Sequence, residues 1–272
     1  MDIIRSKTPE RDGFVAIFGA LDRELYYIRS EIRIEHTMLK GKSRFWMGSH
    51  GSLKILVVQT GVGPDQALQA ARVAITSFPV EAMVSVGFAC ALKGEMKIGD
   101  LVVGESAFYL NRNHTNSYRA DSLLLLLADQ ASQEFIKNES RGGRRAVPRT
   151  SVFKGPILTV RRLVEDAAEK KTLACTTGAI ALDMESAAIA SAAADAKIAY
   201  LPVRAISDLV DEDLGGVANF LSPEGTLRPF KGIYYILSHP TAFARINRLR
   251  THTAIASKRL GRFFHNYFHH LN

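Results

Sequence analysis

Residues 199–208 read Ala-Tyr-Leu-Pro-Val-Arg-Ala-Ile-Ser-Asp, a largely apolar run that ends in a polar pair. Two other β-branched runs, Ile55 to Val58 and Ala82 to Val86, precede it, and Ala-rich stretches of helical length separate the runs. Nearly continuous apolar runs are typical of strands that are buried on both faces, with helices covering each side of the sheet. The pattern predicts an α/β fold built on a mainly parallel, buried sheet.

The composition fits one large domain. The chain has 272 residues and is 47% hydrophobic, which is enough to bury a sizeable core, although its length alone would also allow two domains. We predict an N-terminal extension at residues 1–13, a domain at 14–227 and a C-terminal tail at 228–272. The two cysteines, Cys90 and Cys175, lack metal-binding spacing, and the N-terminal extension lacks the apolar core of an export signal. These features predict reduced thiols and a cytoplasmic protein.

Three carboxylates stand where a ligand of an α/β sheet would be found, since such ligands bind at the carboxyl ends of strands. Asp208 follows Ser207, Glu185 lies in Ala-Leu-Asp-Met-Glu-Ser-Ala-Ala at residues 181–188, and Glu24 follows the first apolar run. Each acid also has a purely structural interpretation. Asp208 could cap a following helix, Glu185 could interact with a helix dipole, and Glu24 could be a solvated surface acid.

Together with four other segments, these residues resemble the purine nucleoside phosphorylase/uridine phosphorylase superfamily, and within it the methylthioadenosine/S-adenosylhomocysteine nucleosidases. The segments, in chain order, are Phe14–Ala20, the glycine turn Gln59–Pro64, the loop Val84–Leu92 and the strand Lys97–Val103. The resemblance implies a single-domain three-layer αβα sandwich around a central mixed, mainly parallel sheet, with an extra C-terminal helical tail. It also implies cleavage of an N-glycosidic bond by a homo-oligomeric enzyme.

The resemblance assigns a role to each acid. Asp208 falls where the family carries the acid that protonates N7 of a purine, with Ser207 beside it to orient the carboxylate. Glu185 falls where the family holds the ribose 2'-hydroxyl, and Met184 where it packs against the sugar. Glu24 matches the residue that activates water in the nucleosidase branch. Such acids are needed because a purine leaves readily only when N7 is protonated, while the ribose develops oxocarbenium character.

Further contacts to the substrate are implied by two short segments. Gly87, Phe88 and Ala89 fall in the loop where the family contacts the sugar and the nucleophile, and Phe88 replaces a usually small residue. Leu163 and Val164 fall in the turn whose backbone reads the edge of adenine. The resemblance therefore places both segments around a nucleoside.

The choice of nucleophile and base depends on single positions. Ser85 stands where phosphorylases of this family usually place a phosphate-binding Arg, which favours water as the nucleophile. Arg204 and Arg23 remain alternative anion contacts, so phosphorolysis stays open. An Asp at position 208 can donate to N7 and accept from an exocyclic amine, which suits adenine. The resemblance implies no cofactor and no metal.

All of the formal net charge of +8 lies in the C-terminal tail, because residues 225–272 contain eight Lys or Arg and no Asp or Glu. Apolar residues recur there at helical spacing, namely Phe243, Ile246, Leu249, Leu260, Phe263, Phe264, Tyr267, Phe268 and Leu271. One interpretation is a basic amphipathic helix at the inner membrane face. The alternative is a terminal helix packed on the domain. Nucleic-acid binding is not expected, because no binding motif is recognisable.

The tail, together with the segment Thr159–Lys170, resembles the hopanoid-associated phosphorylase branch, whose members are linked to removing adenine from adenosylhopane. The favoured substrate is therefore a lipid-linked nucleoside, adenosylhopane. Hydrolysis of methylthioadenosine or S-adenosylhomocysteine is the alternative within the enzyme class. A non-catalytic nucleoside or lipid binder is a third possibility, which Phe88 and Cys90 keep open.

Overall fold

Ten strands form one mixed sheet in the computed structural model, which describes residues 13–110, 115–141, 150–214 and 240–272. The strands are β1 (Phe14–Gly19), β2 (Arg33–Lys40), β3 (Ser43–His50), β4 (Leu53–Gln59), β5 (Val80–Ala91), β6 (Leu101–Leu110), β7 (Thr115–Arg119), β8 (Val152–Thr159), β9 (Ala181–Asp183) and β10 (Ala199–Asp208). Residues 1–12 of the predicted extension and the predicted boundary at 227 lie outside the described residues.

The sheet is mixed, as predicted, and its centre is parallel. Strand β1 pairs in parallel with β4 and β5, and β5 pairs in parallel with β10. Strands β6, β8 and β9 form a second parallel group, which joins the first through the antiparallel pairs β10–β6 and β5–β9. Because β5 pairs with both β10 and β9, the five strands β5, β10, β6, β8 and β9 close into a ring. The sequence pattern did not predict this closure.

Helices cover both faces of the sheet. They are α1 (Asp22–Arg29), α2 (Pro64–Ser77), α3 (Ser122–Arg141), α4 (Ala167–Thr177), α5 (Ser186–Ala196) and α6 (Pro240–Leu271). Residues of α1, α3 and α6 join one core cluster on one face, and residues of α2 and α5 join a second cluster on the other. The predicted three-layer arrangement is therefore confirmed.

The C-terminal tail contributes α6, which packs on α1 and α3. Its apolar face is buried in the main core cluster through Ala256, Leu260, Phe263, Phe264, Tyr267, Phe268 and Leu271. Gly261 permits this close approach, since a Cβ atom there would collide with Tyr27. At the end of the helix, the Ser52 hydroxyl donates to Oδ1 of Asn272 at 2.6 Å. Of the two interpretations of the tail, the structure shows the packed terminal helix for residues 256–271.

None of the helices within the described ranges is long and apolar enough to cross a bilayer.

Candidate active site

Glu24 lies at the carboxyl end of β1, in the first turn of α1, and is only 5% exposed. Its Oε2 accepts a hydrogen bond from the backbone N–H of Leu21 at 2.8 Å, and its Oε1 accepts one from Phe88 at 2.8 Å. A Cβ atom at Gly87 would lie 2.7 Å from Oε1, so this glycine leaves room for the carboxylate. Burial raises the pKa of Glu24, and these hydrogen bonds and the charge of Arg204 oppose that rise. The surface-acid interpretation of Glu24 is therefore wrong.

Glu185 is the residue before α5, yet its side chain does not cap that helix. Its Oε1 instead accepts a hydrogen bond of 2.7 Å from the backbone N–H of Gly63, at the start of α2. Burial, followed by the negative charges of Asp183 and Glu24, raises the pKa of Glu185 to about 8. Glu185 and Met184 are both half-buried. The structure thus brings Glu185 and Glu24 close enough to interact.

Arg204 on β10 is 1% exposed, and its charge acts on both of these acids. Its Nε donates to Oδ2 of Asp183 at 2.7 Å, and its Nη1 donates to the carbonyl oxygens of Ser85 and Val203, each at 2.8 Å. Its Nη2 makes a longer contact of 3.4 Å to Oγ of Ser85. The charge of Arg204 lowers the pKa of both Glu24 and Glu185. Arg204 therefore acts first as the counter-ion of a buried acidic cluster. Arg23, the other predicted anion contact, is exposed.

Sequence reasoning missed the polar network that holds this cluster. Asp183 accepts a hydrogen bond of 2.6 Å from the hydroxyl of Thr159, and that hydroxyl accepts one of 2.9 Å from the N–H of Ala187. The hydroxyls of Ser85 and Tyr200 lie 2.6 Å apart. Asp183 stands two residues before Glu185, and this spacing was the available signal. The partners on other strands had no signal in the sequence, because only pairing in the sheet brings them together.

Asp208 ends β10 and is 6% exposed. Its Oδ2 accepts a hydrogen bond of 2.7 Å from Nζ of Lys170 on α4, whereas its buried Oδ1 has no hydrogen-bond partner among the described residues. Burial raises the pKa of Asp208 to about 6, while Lys170 and the Cys90 thiol oppose the rise. No helix begins directly after Asp208 in the described residues that follow it, so it does not act as the helix cap considered above. Sequence reasoning also missed Lys170.

The predicted base contacts, Leu163 and Val164, and the predicted orienting residue, Ser207, lie in different surroundings. Val164 is 2% exposed and belongs to the same apolar cluster as Cys90, which pairs in register with Asp208. Leu163 beside it is half-buried. Ser207 is 7% exposed and lines a narrow cavity together with Glu212, on the side of α6. Val164 thus lies in the cluster beside Asp208, whereas Ser207 lines the cavity that also includes Glu212.

The end of β5 links the acids. Gly87 pairs with Arg204, Phe88 pairs with Ala205, and Cys90 pairs with Asp208, all in the β5–β10 ladder. Phe88 is half-buried, whereas Gly87 and Ala89 are buried. Gly87 and Phe88 of this segment therefore lie beside Glu24, and Cys90 lies beside Asp208. Within the described ranges, no group of three or more His, Cys, Asp or Glu is arranged to hold a metal ion.

Solved structures share this fold. The 5'-methylthioadenosine/S-adenosylhomocysteine nucleosidase of Neisseria meningitidis, in complex with methylthio-immucillin-A, has a TM-score of 0.73 at 18% identity, covering 94% of this chain and 98% of that chain. The S-adenosylhomocysteine nucleosidase of Streptococcus pyogenes, in complex with 5-methylthiotubericidin, has a TM-score of 0.72 at 19% identity, with coverages of 96% and 98%. Futalosine hydrolase of Helicobacter pylori has a TM-score of 0.69 at 18% identity, with coverages of 92% and 97%. At these identities the likeness concerns the fold.

The coverage also bears on the C-terminal helix. Residues 240–272 are 33 of the 272 residues, about 12% of the chain, which exceeds the 4 to 8% that these three alignments leave out. At least part of α6 therefore belongs to the fold that is shared with the nucleosidases.

The family comparison covers the whole site. Residues 14–228 match the family described as the phosphorylase superfamily, and this range includes Glu24, Glu185 and Asp208. The match spans well over half of the chain and agrees with the resemblance that the motifs indicated. The chain therefore belongs to the phosphorylase superfamily, and it is an enzyme of the N-glycosidase or nucleoside phosphorylase class.

Proposed function

We propose that this enzyme hydrolyses the N-glycosidic bond of a 5'-substituted adenosine and releases adenine. The observation that carries the proposal is the buried Asp208, whose pKa is raised to about 6 and whose Oδ1 has no partner among the described residues. A carboxyl group in this state can hold a proton near neutral pH and donate it to a bound base. Val164 and Cys90 provide an apolar wall nearby. Adenine is the base that suits an Asp at this position.

The proposed reaction begins with a proton transfer. The O–H bond at Oδ1 of Asp208 breaks and an N–H bond forms at N7 of adenine, while the electrons of the bond between C1' and N9 move to the base. The ribose gains positive charge, and Glu185 accepts a hydrogen bond from its 2'-hydroxyl. Water then adds to C1' and gives a proton to Glu24. For that step Glu24 must be ionised, and the charge of Arg204 favours ionisation.

Water is the proposed nucleophile because the described residues at the position that phosphorylases use do not form a phosphate site. Ser85 occupies that position, is fully buried and is bonded to the Tyr200 hydroxyl. The guanidinium of Arg204 is held by Asp183 and two carbonyl groups. Phosphorolysis is the alternative, and it predicts a sugar 1-phosphate among the products.

The 5' substituent separates two candidate substrates. The neighbours of Neisseria meningitidis and Streptococcus pyogenes are nucleosidases of 5'-thioether adenosines, which supports methylthioadenosine or S-adenosylhomocysteine as the first candidate. Adenosylhopane is the second candidate, supported by the resemblance of residues 159–170 to the hopanoid branch. The tail adds little to it, because its apolar face at residues 256–271 is buried in the core. Within residues 247–272, exposed basic residues such as Arg250 and Lys258 would be available for a membrane contact.

The deciding experiment incubates the enzyme with equimolar methylthioadenosine and detergent-solubilised adenosylhopane, with and without phosphate. Mass spectrometry then identifies the substrate that is lost and the sugar product. We expect adenine and a free sugar in both buffers, and no adenine from Asp208→Ala. The matched control is Asp211→Ala. It removes an exposed carboxylate that lies three residues after Asp208 and pairs with Lys171. Release by Asp208→Ala at the native rate would remove the proposed acid, and no release from any nucleoside would favour the non-catalytic binder.

A homo-oligomer is also proposed, on the basis of the family resemblance alone. Sedimentation analysis at micromolar concentration tests it, and a monomer under assay conditions with full activity would contradict it.

A further inference from the structure

Lys170 is an unusual residue for a buried position. Its side chain is 0% exposed, although lysine is almost never fully buried unless it is paired. Its Nζ donates to Oδ2 of Asp208 at 2.7 Å, to the carbonyl of Glu212 at 2.7 Å and to the carbonyl of Leu209 at 3.3 Å. These three acceptors match the three hydrogens of an ammonium group. Lys170 is therefore a fixed positive charge, bonded directly to the carboxylate at the end of β10.

The two oxygens of Asp208 differ because of this contact. Oδ2 is hydrogen-bonded to Lys170, whereas no described residue makes a hydrogen bond of normal geometry to the buried Oδ1. The Cys90 thiol, a weak donor, lies close enough to the carboxyl group to affect its pKa. Leaving a buried polar atom unpaired is unfavourable, so such atoms usually have a functional reason. A ring nitrogen of a bound base can supply the missing partner.

We infer that Lys170 is a positioning residue for the reaction: its ammonium group holds Oδ2 of Asp208 and leaves Oδ1 as the oxygen that delivers the proton to the purine. This inference rests on the proposed function. Proton transfer to N7 breaks the O–H bond at Oδ1 and leaves a carboxylate on Asp208. The negative charge then forms 2.7 Å from the ammonium group, so the charge of Lys170 becomes most favourable as the proton departs.

Among the described residues, two other titratable groups affect the pKa of Asp208. The Cys90 thiol on β5 lowers the pKa of Asp208, and the Glu212 carboxylate raises it. Glu212 is itself approached by Arg248 and His252 of α6, each at 3.9 Å. Lys170 makes the salt bridge to Asp208 itself. Loss of the Lys170 charge should therefore change the pKa of Asp208 more than loss of either of these other groups would.

The test is the pH dependence of adenine release in Lys170→Met. An adjacent opposite charge lowers the pKa of a carboxyl group by about 1–3 units. Loss of the Lys170 charge should therefore shift the alkaline limb of the pH profile of kcat/KM to a pH about 1–3 units higher. We expect kcat to fall by less than the roughly 100- to 10 000-fold that a general acid contributes as a whole. The matched control is Lys171→Met on the same helix, which removes an exposed ammonium group paired with Asp211. Its pH profile should stay native.

Two milder variants keep the test decisive if Lys170→Met does not fold. Lys170→Gln keeps a donor without the charge and should show the same upward shift, whereas Lys170→Arg keeps the charge and should retain the native limb. The role of Lys170 would be overturned if the Met, Gln and Arg variants lost activity equally and the alkaline limb of their kcat/KM profiles did not move. The proposed function would still be supported in that case, provided that the native enzyme releases adenine. No adenine release by the native enzyme would overturn the proposed function, and this inference with it.

Discussion

Replacing Glu185 by Gln should make the protein more stable near neutral pH while impairing its reaction. The pKa of Glu185 is raised from the ordinary value of 4.5 to about 8 by burial and by the charges of Asp183 and Glu24. The folded state therefore keeps a proton that the unfolded state releases, and stability falls as the pH rises from 4.5 to about 8. Gln does not titrate, and its Oε1 can still accept the hydrogen bond from Gly63.

The magnitude follows from the interval over which only the unfolded state is ionised. The ordinary pKa of Glu185 is 4.5, so between pH 4.5 and pH 7, an interval of about 2.5 pH units, the unfolded state is ionised while the folded state keeps its proton. Each pH unit lowers the unfolding free energy of the native protein by about 1.4 kcal/mol, which gives a loss of about 3 kcal/mol at pH 7. The variant Glu185→Gln should thus equal the native protein in unfolding free energy at pH 4 and exceed it by about 3 kcal/mol at pH 7. A gain of this kind at the cost of activity is typical of active-site acids.

Urea denaturation at a series of pH values measures this difference. The one tryptophan of the chain, Trp46, is 6% exposed and serves as the fluorescence probe. The control is Glu35→Gln, which makes the same substitution at an exposed position of β2. The reasoning is refuted if the stability difference between Glu185→Gln and the native protein does not change with pH, or if it grows as the pH falls.

Three further outcomes test the site and the fold. Because burial raises the pKa of Asp208 to about 6, kcat/KM should fall about tenfold per pH unit above that value as the acid loses its proton, which steady-state assays from pH 5 to 9 measure. Gly87→Ala places a Cβ atom 2.7 Å from Oε1 of Glu24, so activity should fall about 100-fold with an unchanged circular dichroism spectrum, whereas Gly94→Ala, which has open space, should behave as native. Phe264→Ala should reduce the unfolding free energy by about 3–5 kcal/mol in urea titrations because Phe264 is fully buried in the core, and a change below 1 kcal/mol would contradict the packed position of α6.

The three acids show how far sequence reasoning reaches. Their positions after apolar runs predicted that they lie at strand ends, and the structure places Glu24 after β1 and Asp208 at the end of β10. Their structural alternatives could not be excluded from the sequence, because the same residues also begin helices and cover surfaces. Burial decides between the interpretations. Glu24 is 5% exposed, and Glu185 accepts a hydrogen bond from Gly63 at the start of α2 without capping its own helix.

The partners of the acids were beyond prediction for a different reason. Lys170 and Lys171 are adjacent in a polar segment, and the sequence does not distinguish them. In the structure one is fully buried against Asp208, 38 residues further along, and the other pairs with Asp211 at the surface. The choice depends on the rotation of α4 relative to the end of β10, which is set by packing between elements.

The sequence by itself determined the α/β class, the strand-end acids and the superfamily, because hydrophobic periodicity and short motifs are local properties of the chain. Only the tertiary structure decided that five strands close into a ring, that α6 buries its apolar face, and that Arg204 and Lys170 become the buried counter-ions of the acids. The physical reason is that charge pairing and burial depend on distances between residues remote in sequence. Those distances exist only once the sheet and its two helical layers have packed.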